Sequence, residues 1–112
     1  RLHACCRQLL PHGSVVITLG AAGCFVSHTD AKLRGDSQPH YRLEAARVHA
    51  LDTTGAGDAF NGALCASLAH APDRAFVEHA RFANRYAALS TERPGASAAM
   101  PLRGEVLARF GD

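Results

Sequence analysis

The chain has 112 residues, enough for one small core and too few for two domains. Its formal charge of +2 comes from eleven arginines and a single lysine against ten acids, without a dense basic run, so nucleic-acid binding is not indicated. No apolar stretch approaches the roughly 20 residues of a membrane-spanning helix, and the residues after Arg1 form neither a signal peptide nor a transit sequence, so the chain reads as a piece of a longer protein that does not span a membrane.

Residues 2–10 place Leu2, Cys5, Cys6, Leu9 and Leu10 at the spacing of one helical face, and Pro11-His12-Gly13 ends that helix. Residues 14–19 (SVVITL) form a continuous β-branched run, the pattern of a strand buried on both faces in a parallel sheet. Gly20-Ala21-Ala22-Gly23 turns the chain, and residues 24–28 read as a second strand in a hairpin-like arrangement. Residues 29–39 are polar and rich in turn formers, a loop with a short edge strand around Lys32. Further short strands are expected at 41–43 and 47–51. Residues 57–71 carry Phe60, Leu64 and Leu68 on one helical stripe closed by Pro72-Asp73, and 74–90 repeat the pattern with Phe76, Ala80, Ala83, Ala87 and Leu89. A small-residue loop at 91–101 precedes a terminal helix over 102–110. Strands first and a helix cluster after them predict an α/β class.

Cys5, Cys6, Cys24 and Cys65 show no CxxC pair and no matching histidine spacing, so reduced, buried thiols in a cytoplasmic setting are expected rather than a zinc site. His3, His70 and His79 fall in helical stretches and read as surface residues.

The most informative segment is Asp52-Thr53-Thr54-Gly55-Ala56-Gly57-Asp58, which runs straight into a helix. Small residues let a backbone approach a ligand closely. The N-terminus of that helix leaves amide hydrogens unpaired and carries partial positive charge, so it can hold an anion. Asp58, ionised at neutral pH, could accept a proton from a hydroxyl held there, or could simply cap the helix. Gly55, Ala56 and Gly57 could present amides to a phosphoryl group or form a tight turn without a ligand. Thr18, Leu19, Gly20, Ala21, Ala22 and Gly23 suit a nucleotide-binding turn, though a plain hairpin wants the same glycines. No Gly-x-x-x-x-Gly-Lys-Ser/Thr occurs, and Lys32 is the only lysine, so phosphates would be handled by backbone amides rather than by a P-loop lysine.

Three stretches together resemble the C-terminal part of the ribokinase-like (PfkB) family of carbohydrate kinases. They are the 52–58 run continuing to Leu64, the strand and turn from Val15 to Gly23, and Arg81-Phe82-Ala83-Asn84 with the tail Arg93 to Pro101. The resemblance covers nearly the whole chain in the family's order. It implies that 1–112 is the nucleotide-binding, C-terminal portion of a doubly wound α/β/α sandwich, with the sugar-binding half and its lid outside this chain. The family's Asn-x-x-Glu motif, associated with magnesium, does not occur here.

The resemblance further implies ATP-dependent phosphorylation of a sugar's primary hydroxyl, D-ribose before fructose, 2-keto-3-deoxygluconate or a nucleoside. A nucleotide-binding piece without catalysis is the alternative from another class. Asp58 becomes the general base and substrate contact, Gly55, Ala56 and Gly57 the anion hole, and residues 18–23 with Gly57, Asp58 and Asn84 the nucleotide site. Asn84 could equally be a surface residue of an Ala-rich helix. Magnesium would accompany ATP, and potassium would activate from a site matching Asp52, Thr54, Ser90, Arg93, Gly95 and Ala99. Asp52 could otherwise merely end a strand. For the whole protein the resemblance is compatible with a homodimer.

Overall fold

The computed structural model describes residues 1–94 and 101–111. Its helices are α1 (Leu2–Leu9), α2 (Ala56–His70), α3 (Phe76–Ser90) and α4 (Arg103–Phe110), and its strands are β1 (Val15–Thr18), β2 (Cys24–Ser27) and β3 (His40–Leu43). Short 3-10 turns occupy Gly20–Ala22 and Lys32–Arg34, so the edge strand expected around Lys32 is not formed. Gly35, left-handed at φ 75°, closes the second of these turns.

The three strands form one sheet in sequence order, and both pairings are antiparallel. The parallel pairing expected for β1 is therefore not what this chain supplies. A β-branched run specifies an extended backbone but not its partner's direction, and the short Leu19–Gly23 connection forces β2 to return beside β1. Val15, Val16 and Ile17 are half-buried rather than enclosed on both faces.

Alternation across the pleat sorts the side chains into two faces. Val16, Cys24, Val26, Tyr41 and Leu43 point to one face, where α2 and α3 bring Phe60, Ala63, Phe76, Ala80 and Ala83. Phe60 is 3% exposed, and burial of such a ring contributes roughly 1.5–3 kcal/mol. The predicted stripes of α2 and α3 are the ones that pack here. Ser27 and His40, opposite each other in register, point the other way, where α1 stacks His3 on His40 and bonds Ser27 Oγ through His3 Nδ1 at 2.7 Å. Helices thus cover both faces of the sheet.

A buried polar chain ties the sheet to α3. Ser14 Oγ lies 2.7 Å from His28 Nδ1, and His28 Nε2 lies 2.7 Å from Asp36 Oδ2. Asp36 also accepts the Tyr41 hydroxyl at 2.7 Å and, through Oδ1, the Val77 N–H at 2.9 Å. Burial first, and the Asp36 carboxylate next, push the Tyr41 hydroxyl's pKa up, which keeps it a donor. Although the order Ser–His–Asp evokes a hydrolytic triad, His28 is 1% and Asp36 6% exposed, and Asp36 is occupied as the cap of α3. The network is a core fastening.

His79 corrects the surface assignment. It is 1% exposed and pairs with Ser67 of α2, its Nδ1 2.7 Å from Ser67 Oγ. His70 is exposed as expected, and His3 is half-buried. All four cysteines are free; Cys6 and Cys24 are buried and Cys5 and Cys65 exposed. Burial pushes the Cys24 thiol up to about 11. Among the described residues no helix is long and apolar enough to cross a membrane.

Candidate active site

Residues far apart in sequence meet around one cavity of about 310 Å³. Thr18, Gly20, Ala21 and Gly23 come from the β1–β2 turn, Ala56 and Gly57 from the start of α2, and Asn84 from the middle of α3. These come from the two glycine-bearing motifs and the asparagine singled out by sequence, though Gly55 itself is not in the lining. Leu19 and Ala22, placed in the same nucleotide-binding run, do not line the cavity. The lining is mostly apolar and small, as suits a flat ring system with few polar anchors.

The β1–β2 turn is built for close approach. Leu19 N–H donates to Gly23 O at 2.7 Å, and Gly23 N–H donates to Gly20 O at 3.1 Å. Gly23 has φ 92°, and a Cβ there would sit 1.8 Å from the Leu43 carbonyl oxygen. The fold itself therefore requires Gly23, through the crossing of β3's exit over the turn.

At the start of α2, Gly55 is the N-cap with φ 77°, a left-handed conformation that favours glycine. The first intrahelical bond runs from Ala59 N–H to Gly55 O at 2.8 Å. Ala56 N–H already donates to Thr53 O at 3.2 Å. Among the described residues, no backbone carbonyl takes the N–H of Gly57 or Asp58. At this helix end the N–H groups of Gly55, Gly57 and Asp58 are thus the ones without a backbone acceptor among the described residues, and Gly55 and Gly57 belong to the run read from sequence as an anion hole. Among the described residues a Cβ at Gly57 would meet nothing within 4 Å, so their packing does not explain that glycine.

Asp58 is the third residue of α2 and exposed, so it is not the N-cap; that place belongs to Gly55. It does not line the cavity but directly follows Gly57, which does. Its carboxylate makes no hydrogen bond within the described residues, and its position in the first turn sets it in the favourable field of the helix end.

Asp52 Oδ1 accepts the Thr54 N–H at 2.9 Å, an Asx turn that opens the motif. The Thr91 carbonyl accepts both Leu51 N–H at 2.6 Å and Asp52 N–H at 3.0 Å. Asp52 is thereby held beside the C-terminal end of α3, where Ser90 is 1% exposed. A carboxylate next to helix-end carbonyls is a setting that fits a monovalent cation. Ser90 Oγ donates to Ala87 O at 2.7 Å, and Arg93 is ion-paired to Glu105 of α4. Gly95 and Ala99 lie outside the described residues.

The segment 44–50 lines the cavity with Ala45, Ala46, Val48 and Ala50, which sequence reading did not assign to the site. It is not the strand expected at 47–51. Side chains and loop carbonyls hold it instead: Asn84 Nδ2 donates to Glu44 O at 2.7 Å, and His49 N–H donates to Glu92 Oε2 at 3.0 Å. The alternation Ala46, Val48, Ala50 was the available signal, since it marks one face of an extended segment. Phe60, Ala87, Ala88, Thr53 and Thr91 complete the lining and were not singled out either.

Comparison with known proteins identifies the family. Residues 2–103 match the pfkB family carbohydrate kinase. Ribokinase of Haemophilus influenzae is 39% identical over 94 residues, which cover 84% of this chain and 28% of that protein. Fructokinase-1 of Zea mays is 35% identical over 98 residues, covering 83% of this chain and 28% of that protein. The solved structure of Arabidopsis thaliana ribokinase complexed with ribose and ATP superposes with a TM-score of 0.74 at 28% identity, over 94% of this chain and 31% of that one. The chain thus spans less than a third of the length of these relatives. Its glycine motifs meet at one cavity, and the family match runs over nearly every residue: the chain belongs to the pfkB family of carbohydrate kinases, and its fold is part of the ribokinase fold.

Proposed function

We propose that this chain supplies the nucleotide-binding and proton-accepting portion of an ATP-dependent sugar kinase, with D-ribose as the acceptor. The observation that carries the reading is the single cavity shared by the 18–23 turn, the start of α2 and Asn84. The adenosine end of ATP would lie against the turn and α3. Its terminal phosphate would face Gly57, where the N–H groups of Gly57 and Asp58 have no backbone acceptor among the described residues. Preorganised donors of this kind contribute about 3–4 kcal/mol of barrier lowering each in enzymes where one has been removed.

Asp58 would orient the sugar's primary hydroxyl and take its proton as the oxygen bonds to phosphorus in line with the leaving ADP. The described residues hold no group of three acidic, His or Cys side chains suited to a resident divalent ion. Magnesium would therefore come with the nucleotide and supply charge neutralisation at its phosphates. Potassium, beside Asp52 and the end of α3, would stiffen the loop that enters α2.

Titration calorimetry of this chain with ADP and a non-hydrolysable ATP analogue tests the nucleotide site, with saturable binding expected. Phosphorylation of ribose, fructose and nucleosides by the whole protein that contains this chain tests the acceptor; absence of ribose turnover removes ribose. Because the chain spans under a third of its relatives, binding without catalysis is the second reading for the chain alone, and nucleotide binding with no turnover of any acceptor by the whole protein would select it.

A further inference from the structure

One wall of the cavity, residues 44–50, owes its position to side chains of α3 and of the turn after it. Glu92 is the outer fastening. Its Oε2 accepts the His49 N–H at 3.0 Å, and the same carboxylate receives a two-pronged contact from Arg109 of α4: Nη1 to Oε1 at 2.8 Å and Nη2 to Oε2 at 3.0 Å. The Glu92 side chain is only 18% exposed, whereas that of Arg109 is 40% exposed. A planar guanidinium fork fixes the plane of a carboxylate in a way that one hydrogen bond does not. Next to it Arg93 pairs with Glu105, an ion pair of the opposite sense, so α4 is tied down by one charge of each sign. Val48 and Ala50, the neighbours of His49, both face the cavity.

We propose that Glu92 and Arg109 form a positioning pair through which α4 holds the 44–50 wall and so sets nucleotide affinity. This rests on the nucleotide reading of the cavity. Neither residue touches the nucleotide in this scheme. Arg109 fixes the carboxylate, the carboxylate holds the His49 amide, and that amide holds Val48 and Ala50 against the bound ring.

The test compares wild type, Arg109→Met and the charge-swapped Glu92→Arg/Arg109→Glu pair, by His49 amide exchange in the NMR spectrum and by calorimetry with ADP. In Arg109→Met, His49 exchange should accelerate and ADP affinity should fall, each by about tenfold, the scale of one hydrogen bond to a charged acceptor. The swapped pair should keep α4 docked, visible in the Arg103–Phe110 amides, yet leave His49 fast and ADP weak, because arginine cannot accept the amide. Unchanged His49 exchange in Arg109→Met overturns the clamp whether or not ADP binds. Wild-type ADP affinity in the swapped pair overturns it as well, reducing the pair to a helix dock. A wild-type chain with a protected His49 amide that binds no ADP overturns the nucleotide reading instead, and with it the role in affinity.

Discussion

Asn84 donates through Nδ2 to the carbonyl oxygen of Glu44 at 2.7 Å, across forty residues of sequence. The side chain expected to meet the nucleotide is thus also the inner fastening of the wall beside it. Asn84→Ala removes the donor and frees Glu44 O. We expect ADP affinity to fall about tenfold, the scale of one lost hydrogen bond with its positioning effect, measured by calorimetry. Unaltered affinity would remove Asn84 from the site.

Gly57 and Gly55 separate ligand space from backbone strain. Alanine at Gly57 meets no atom of the described residues within 4 Å and needs no unusual φ, so Gly57→Ala should fold with unchanged or slightly raised stability. It should nevertheless weaken binding of an ATP analogue, since the methyl occupies the approach to the orphan amides. Gly55→Ala should instead lower stability by about 1 kcal/mol through its left-handed φ of 77°. Thermal melts beside calorimetry read both, and a Gly57→Ala chain that binds the analogue normally would empty the proposed anion hole.

Asp58→Asn tests the proton acceptor in the whole protein. The amide keeps the size of the side chain but cannot take a proton, and among the described residues the Asp58 carboxylate makes no hydrogen bond that the fold depends on. Turnover should drop by two to four orders of magnitude, roughly the contribution of general base catalysis, while ATP affinity stays within about twofold. Steady-state and binding measurements together decide; preserved turnover excludes the role.

Local periodicity makes much of this legible. The stripe Phe60, Leu64, Leu68 and the positions Phe76, Ala80 and Ala83 are the surfaces that meet the sheet. The glycine runs at 20–23 and 55–57 each bring residues to the cavity lining and are visible in the sequence itself. Relations across the chain are what sequence does not reveal. Ala46, Val48 and Ala50 alternate like a strand, but a ladder needs a neighbour with free backbone groups, and Asn84, Glu92 and Thr91 supply the partners instead. His79 stands between the charged Glu78 and Arg81 in sequence, so only its meeting with Ser67 shows that it is buried. Glu92 and Arg109 lie seventeen residues apart on different elements, where no helical or strand period links them.

Asp36 is the group on which the sheet and α3 both depend. Asp36→Ala would leave His28 Nε2, the Tyr41 hydroxyl and the Val77 N–H without their acceptor in a buried site. The expected loss is about 3–5 kcal/mol, the scale for removing one partner of a buried charged network. If the variant is too unstable to isolate, Tyr41→Phe removes one of the three bonds and should cost about 1 kcal/mol. Denaturant unfolding measures both, and a Tyr41→Phe chain as stable as wild type together with a mild Asp36→Ala would show that the network carries little.

Acid should weaken the chain in two steps of different origin. Desolvation holds the His79 pKa below its ordinary 6.5, and Arg74 lowers it further. The unfolded chain therefore binds the proton first, and stability begins to fall as pH drops below about 6.5. Glu92 behaves in a second window. Hydrogen bonds from Arg109, then the His49 amide, hold its carboxyl down to about 2 against an ordinary 4.5. Its contribution is present above pH 4.5 and is lost as pH falls from there through about 2, while Arg109, whose own pKa is raised by the pair, stays charged throughout. Glu92→Gln should shrink the lower step to the part contributed by Glu105, whose carboxyl the Arg93 hydrogen bond also holds below its ordinary value, and leave the upper step. Melting temperatures across this range, with the Arg103–Phe110 amides followed separately, read the two, and a lower step undiminished in Glu92→Gln would assign it to other carboxylates.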